Sequence, residues 1–180
     1  MTTFSRGDLV DALEQLVDEL AIARVAARIR IVGGAALVLV HDPDRGLTRD
    51  VDVLGAHPRD EVMVAAARLA DRHGWPPNWL NTDVQMYAPD PDHPEPGWEV
   101  FSHRDGVVIE VGTVELLLAM KLHAARGRRD TDDIEVLVER CRIGSTEEAI
   151  ELYEAHYRAE VLSDRARAKL DSIFGGTRSP

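Results

Sequence analysis

The segment Arg28-Ile29-Arg30-Ile31-Val32-Gly33-Gly34-Ala35-Ala36, with Thr48-Arg49-Asp50-Val51-Asp52-Val53-Leu54 after it, decides how this chain is read. Residues 28–32 read as a β-strand, and the glycine doublet breaks it where a short helix over 35–40 is predicted. His41 to Gly46 has the composition of a turn, and the next strand runs from Asp50 to Leu54. Side chains alternate along a strand, so Val51 and Val53 enter the core while Asp50 and Asp52 share the other face. Two adjacent carboxylates suit Mg²⁺, which takes one or two of them and leaves its other positions to water and phosphate oxygens. Mn²⁺ would suit them equally. A glycine doublet at a helix N-terminus lets backbone N–H groups come close to an anion. Each feature alone has a plain reading, a turn in one case and a solvated strand face in the other. Together they point to a metal and phosphate site.

Outward from this segment, residues 8–27 carry a helical stripe of Leu9, Leu13, Leu16, Val17 and Leu20, with Asp8 as the expected N-cap. A helix is predicted over 59–73, stopped by Gly74. Residues 75–97 read as an irregular excursion holding a short strand near 84–87. A β pair is expected at 98–102 and 106–111, turned by His103-Arg104-Asp105-Gly106. From Thr113 the pattern is helical, over 113–126, 132–141, 145–158 and 163–174, with Ser145-Thr146-Glu147-Glu148 as a capping box. The expected class is therefore α+β. A small mixed sheet with flanking helices over 1–112 would precede a helical bundle over 113–174, packed on it as one compact unit, and a tail over 175–180.

At 180 residues the length fits one domain with a core of its own. A formal net charge of −11 argues against a wholesale nucleic-acid coat, so any nucleic acid must meet a local basic patch. The single cysteine, Cys141, excludes an internal disulfide framework and fits a reducing cytoplasm. The longest apolar run, Gly33 to Val40, is too short to span a bilayer, so a soluble cytoplasmic protein without a membrane partner is expected. The seven histidines lack a His-x-x-x-His spacing, and no zinc site is expected.

With Ile31-Val32-Gly33-Gly34-Ala35-Ala36 and Arg49-Asp50-Val51-Asp52-Val53, the chain resembles the DNA polymerase β-like nucleotidyltransferases. Downstream, Glu115 to Arg126 with Lys121, then Arg129-Asp130-Thr131-Asp132-Asp133-Ile134, is similar to the lysine helix and Arg-Asp-x-x-Asp motif of their AbiEii/MenT-type members, some of them toxins of toxin–antitoxin systems. Trp79-Leu80-Asn81 is similar to a fragment of related small bacterial members. One departure is Gly34 where serine is frequent, which removes a hydroxyl contact to phosphate.

The resemblance implies transfer of a nucleotidyl group from a nucleoside triphosphate to an acceptor, with loss of pyrophosphate. It implies that Asp50 and Asp52 bind Mg²⁺ or Mn²⁺, and that Gly33, Gly34, Thr48, Arg49 and Lys121 serve the nucleotide. Asp130 or Asp133 would be a polar or base-like active-site residue. Glu110, on the face of its strand opposite Val107, Ile109 and Val111, is a candidate third metal carboxylate. The implied acceptor is the 3′ end of tRNA, and the implied partner a cognate antitoxin protein. A protein or small-molecule acceptor stays open, as does a binding module without turnover.

Plain readings stand beside these. Lys121 fits the edge of an apolar helix face, and Asp130, Asp132 and Asp133 fit a helix first turn, where carboxylates complement the dipole. Lys121, Arg126, Arg128 and Arg129 form a local basic cluster that fits either gathered phosphates or a solvated helix end. Trp75, Trp79 and Trp98 could stack on a base or anchor a loop.

Overall fold

The computed structural model describes residues 2–42, 46–90 and 97–175; the turn positions 43–45, the expected tail from 176 onward and the side chain of Arg129 lie outside that description. The chain divides into two units, one of residues 1–86 with 98–112, the other of residues 87–97 with everything from Thr113 onward.

In the first unit, α1 (Arg6–Ile22) leads to β1 (Ala27–Val32). Helix α2 (Gly33–Ala36) follows and widens into a π-helical turn over Leu37–His41. Then come β2 (Val51–His57), α3 (Arg59–His73) and the short β3 (Leu80–Asn81), and a 3-10 turn over Asp83–Tyr87. The hairpin β4 (Trp98–Arg104) and β5 (Val107–Gly112) completes the unit. The sheet order is β3-β2-β1-β5-β4. Strand β1 runs antiparallel to β2 and parallel to β5, so the sheet is mixed, as expected.

Alternation fixes the two faces. Ile29, Ile31, Val51, Val53, Val107 and Ile109 are all buried and form the apolar face. Leu13 and Val17 of α1 line a small cavity with Phe101 and Ile109, which sets α1 on that face. His41, buried at the end of the π turn, donates from Nε2 to the Gly112 carbonyl at 2.8 Å and ties the turn to the end of β5.

Helix α1 starts earlier than expected because Ser5, not Asp8, is its N-cap. The Ser5 hydroxyl accepts from the Asp8 N–H at 3.3 Å, and the Asp8 carboxylate accepts from the Ser5 N–H at 2.9 Å, a reciprocal capping box. These bonds hold the Asp8 carboxyl below its ordinary range. The helix stops at Ile22 instead of 27 because Arg24 takes a left-handed backbone, φ 56°. The strand expected near 84–87 is a 3-10 turn, and the strand in this region is Leu80–Asn81, parallel to Val51–Asp52.

The second unit holds α4 (Val114–Ala124), α5 (Arg128–Arg140), α6 (Thr146–His156) and α7 (Asp164–Gly175). Thr113 caps α4 by accepting from the Leu116 N–H at 3.4 Å. Leu116 through Met120, with Leu122, are buried, as befits a helix apolar on nearly every side that contacts both α5 and α6. The His123 ring lies flat on Tyr157 at 4.4 Å, and its Nδ1 is 3.0 Å from the Tyr153 hydroxyl, which joins α4 to α6. Tyr157 donates to the Tyr87 carbonyl at 2.6 Å, and burial pushes its phenol well above the ordinary range. No helix among the described residues is long and apolar enough to cross a membrane.

Candidate functional site

Of the sequence-predicted residues, Gly33, Gly34, Thr48, Arg49, Asp50, Asp52 and Glu110 lie in the first unit and Lys121, Asp130 and Asp133 in the second. In the first unit, the antiparallel register pairs Val32 with Asp52, which brings the start of α2 beside the second aspartate. Gly33 has φ +66°, and a Cβ added to it would lie 2.6 Å from Asp52 Oδ2. Glycine is required there twice over, for the left-handed backbone and for the space the carboxylate occupies.

The aspartate strand is held from both sides. Val51 donates from its N–H to the Trp79 carbonyl at 2.6 Å and pairs with Leu80 in β3. Thr48, buried, bridges to Phe4 through its backbone, and its hydroxyl donates to the Asp50 carbonyl at 3.3 Å. Val51 and Val53 are fully buried, whereas Asp50 and Asp52 are half-buried and Arg49 is exposed. Asp52, a hard oxygen donor beside a glycine that leaves backbone room, has Asp50 two residues before it, and carboxylates of this kind suit a divalent ion that completes its shell with water and phosphate oxygens. Among the described residues, no group of three or more His, Cys, Asp or Glu side chains gathers around a common point.

Glu110 is engaged elsewhere. It is 6% exposed on β5, directly across from Arg30 of β1. One carboxylate oxygen accepts from Arg28 Nη1 and the other from Arg30 Nε at 2.9 Å. The Arg30 guanidinium also lies over the Trp98 ring at 4.9 Å.

In the second unit, Lys121 near the end of α4 reaches the first turns of α5. Its Nζ is 2.8 Å from Asp130 Oδ1 and 2.7 Å from Asp133 Oδ2, so both motif aspartates bind the same ammonium. Asp130 also accepts from the Arg126 N–H at 2.8 Å. Burial pushes the Asp130 carboxyl up, but the hydrogen bond and charge of Lys121, with the Arg126 N–H and charge, outweigh it and hold the group below its ordinary range. Lys121 thus sits inside a neutralising pair of carboxylates rather than on a solvated helix edge. Arg126 turns its guanidinium over Tyr87 at 5.2 Å, and Arg128 is exposed.

Trp75 and Trp79 serve as anchors. Trp79 is fully buried with its Nε1 donating to the Ala66 carbonyl at 2.9 Å, and Trp75 packs edge-on against Phe4 and is stacked by His73. The sequence pattern gave a strand over 28–32 without singling out Arg28 and Arg30; their i, i+2 spacing was the available signal. No protein-family model, curated protein or solved structure matches this chain.

Proposed function

We propose that the chain is a metal-dependent nucleotidyltransferase that moves a nucleotidyl group from a nucleoside triphosphate to an acceptor, the 3′ end of tRNA in the role of a toxin. The observation that carries this reading is the placement of Asp52, on β2, against Gly33, with a second half-buried carboxylate, Asp50, just before the strand. A strand-capping glycine that must lack a Cβ, beside paired carboxylates, is what a metal-bridged phosphate needs.

Asp50 and Asp52 would hold Mg²⁺ or Mn²⁺. When bound, such an ion supplies charge neutralisation and polarisation to phosphate oxygens. The chain's own residues then have separable tasks. Gly33 and Gly34 form the first positions of α2, where the backbone N–H groups of a helix start would face a phosphate. Thr48 fixes the backbone carbonyl of Asp50, and β1 and β3 clamp the strand that carries Asp52. Arg49 is accessible to the nucleotide. The acceptor hydroxyl attacks the α-phosphorus in line, and pyrophosphate departs. A general base works best with a pKa near the working pH, and Asp130 is held on the far side of its ordinary value. Its pairing with Lys121 therefore supports a structural role for the lysine–aspartate cluster over proton abstraction by Asp130.

The test is incubation of the full chain with Mg²⁺, each α-labelled nucleoside triphosphate, and total tRNA or lysate, with Asp52→Ala in parallel. Label in the tRNA fraction that disappears in the variant is expected. Label in protein or a small molecule would keep the reaction and replace the acceptor. Nucleotide binding without transfer to any fraction would leave a binding module in place of the enzyme. Growth arrest on expression that requires Asp52 is the corresponding result for a toxin.

A further inference from the structure

We infer that the sheet face carrying Asp52 is a binding surface for a single nucleic-acid strand, with Arg28 and Arg30 as its phosphate contacts. The inference rests on the nucleotidyl-transfer reading only in making that strand the acceptor. Alternation along β1 puts Arg28, Arg30 and Val32 on one face, and the registers extend this face across the sheet. Asp52 stands beside Val32, Glu110 beside Arg30, and His57 and Val108 beside Arg28, with His103 beside Val108. Asp52 lies across from Val32, which is buried, and from the level of Val32 back along β1 the face presents first Arg30, stacked on Trp98, and then Arg28. Each step is one two-residue strand repeat, roughly 6.6 Å. This pitch is comparable to that of successive phosphates on an extended strand.

The arginines are arranged beyond what neutralising Glu110 requires. One guanidinium suffices for one buried carboxylate, yet Glu110 carries two. Their side chains are 52% and 41% exposed, while the Glu110 side chain is 8% exposed. Each guanidinium has five donors in a fixed fork, so donors remain for a phosphate after the carboxylate is satisfied. Glu110 thereby acts as a positioning residue that orients two half-exposed cations, and these three side chains together keep an excess of positive charge next to Asp52. In a chain of net charge −11, this is the local basic surface that a nucleic acid needs.

The experiment is fluorescence anisotropy of a short labelled single-stranded RNA with the full chain, in EDTA and without nucleotide, over a salt series. Binding that weakens with salt is expected. In the Arg28→Gln, Arg30→Gln double variant the slope of log affinity against log salt should fall by about 0.7 per arginine removed. The Arg28→Lys, Arg30→Lys variant should keep the slope. Urea midpoints check the fold, and if the double glutamine variant unfolds, Arg28→Gln alone, at the more exposed position, carries the same comparison. No RNA binding at low salt, or an unchanged affinity and slope in a folded glutamine variant, would overturn the inference. Asp52-dependent transfer to a small acceptor by a protein with no RNA affinity would overturn it and leave nucleotidyl transfer standing. Arginine-dependent RNA binding without any transfer would support the surface and remove the reaction.

Discussion

At Gly33, a hydrogen in place of a methyl is the condition for the Asp52 carboxylate to lie where it does. Gly33→Ala should cost about 1–2 kcal/mol in urea unfolding, from the left-handed backbone and from displacing the carboxylate, and should weaken divalent-ion binding as well. Mn²⁺ titration followed by electron paramagnetic resonance should show loss of affinity in Asp52→Asn but none in Glu110→Gln, because both oxygens of Glu110 are taken by arginines. Asp130 has its own pH signature. Its folded-state carboxyl lies below the ordinary 3.8, so its contribution is complete above that value and is lost as pH falls through the lowered one. Asp130→Asn should flatten that acid limb in pH-dependent unfolding. Cys141, pushed up to about 12 by burial and then by the charge of Glu115, should resist alkylation at neutral pH in the folded protein. The burial of Val51 and Val53 on either side of a half-buried Asp52 was legible because a strand's period of two is a local property. The partners of Glu110 were not, since Arg30 lies 80 residues earlier and meets it only through the β1–β5 register.

At the level of elements, caps and charge clusters decide where helices begin and what joins them. Ser5→Ala removes one half of the α1 capping box and should lower stability by about 1 kcal/mol by thermal or urea unfolding. The sequence pattern showed the α1 stripe but set its start at Asp8, because an aspartate can serve either as the cap or as the third residue answering it. Lys121→Met leaves two buried carboxylates facing each other without their ammonium, and should cost about 3–5 kcal/mol, measured by urea unfolding. Adding Asp130→Asn and Asp133→Asn to that variant should recover much of the loss, which is the mark of a charge-pairing role. The choice between Asp130 and Asp133 could not be made from spacing, and the reason is geometric. Three positions apart on α5, they lie on one helix face, and a single lysine reaches both.

For the molecule as a whole, the α+β class and the division into a mixed sheet and a group of helices follow from changes in hydrophobic period along the chain. Strand order does not, because nothing local states that β1 lies between β2 and β5 or that the two-residue β3 closes the far edge. That order is what brings the glycine turn to the strand of Asp52, a proximity that only the fold displays. The central claim concerns which bond of the triphosphate is broken. The most direct measurement runs the reaction in parallel with α-labelled and γ-labelled nucleoside triphosphate, with the parent chain and with Asp50→Asn and Asp52→Asn. The account predicts that α label enters an acceptor, that γ label leaves as pyrophosphate, and that both events vanish in each variant. Acceptor labelled from the γ position, or α-label transfer that survives in the variants, would contradict it.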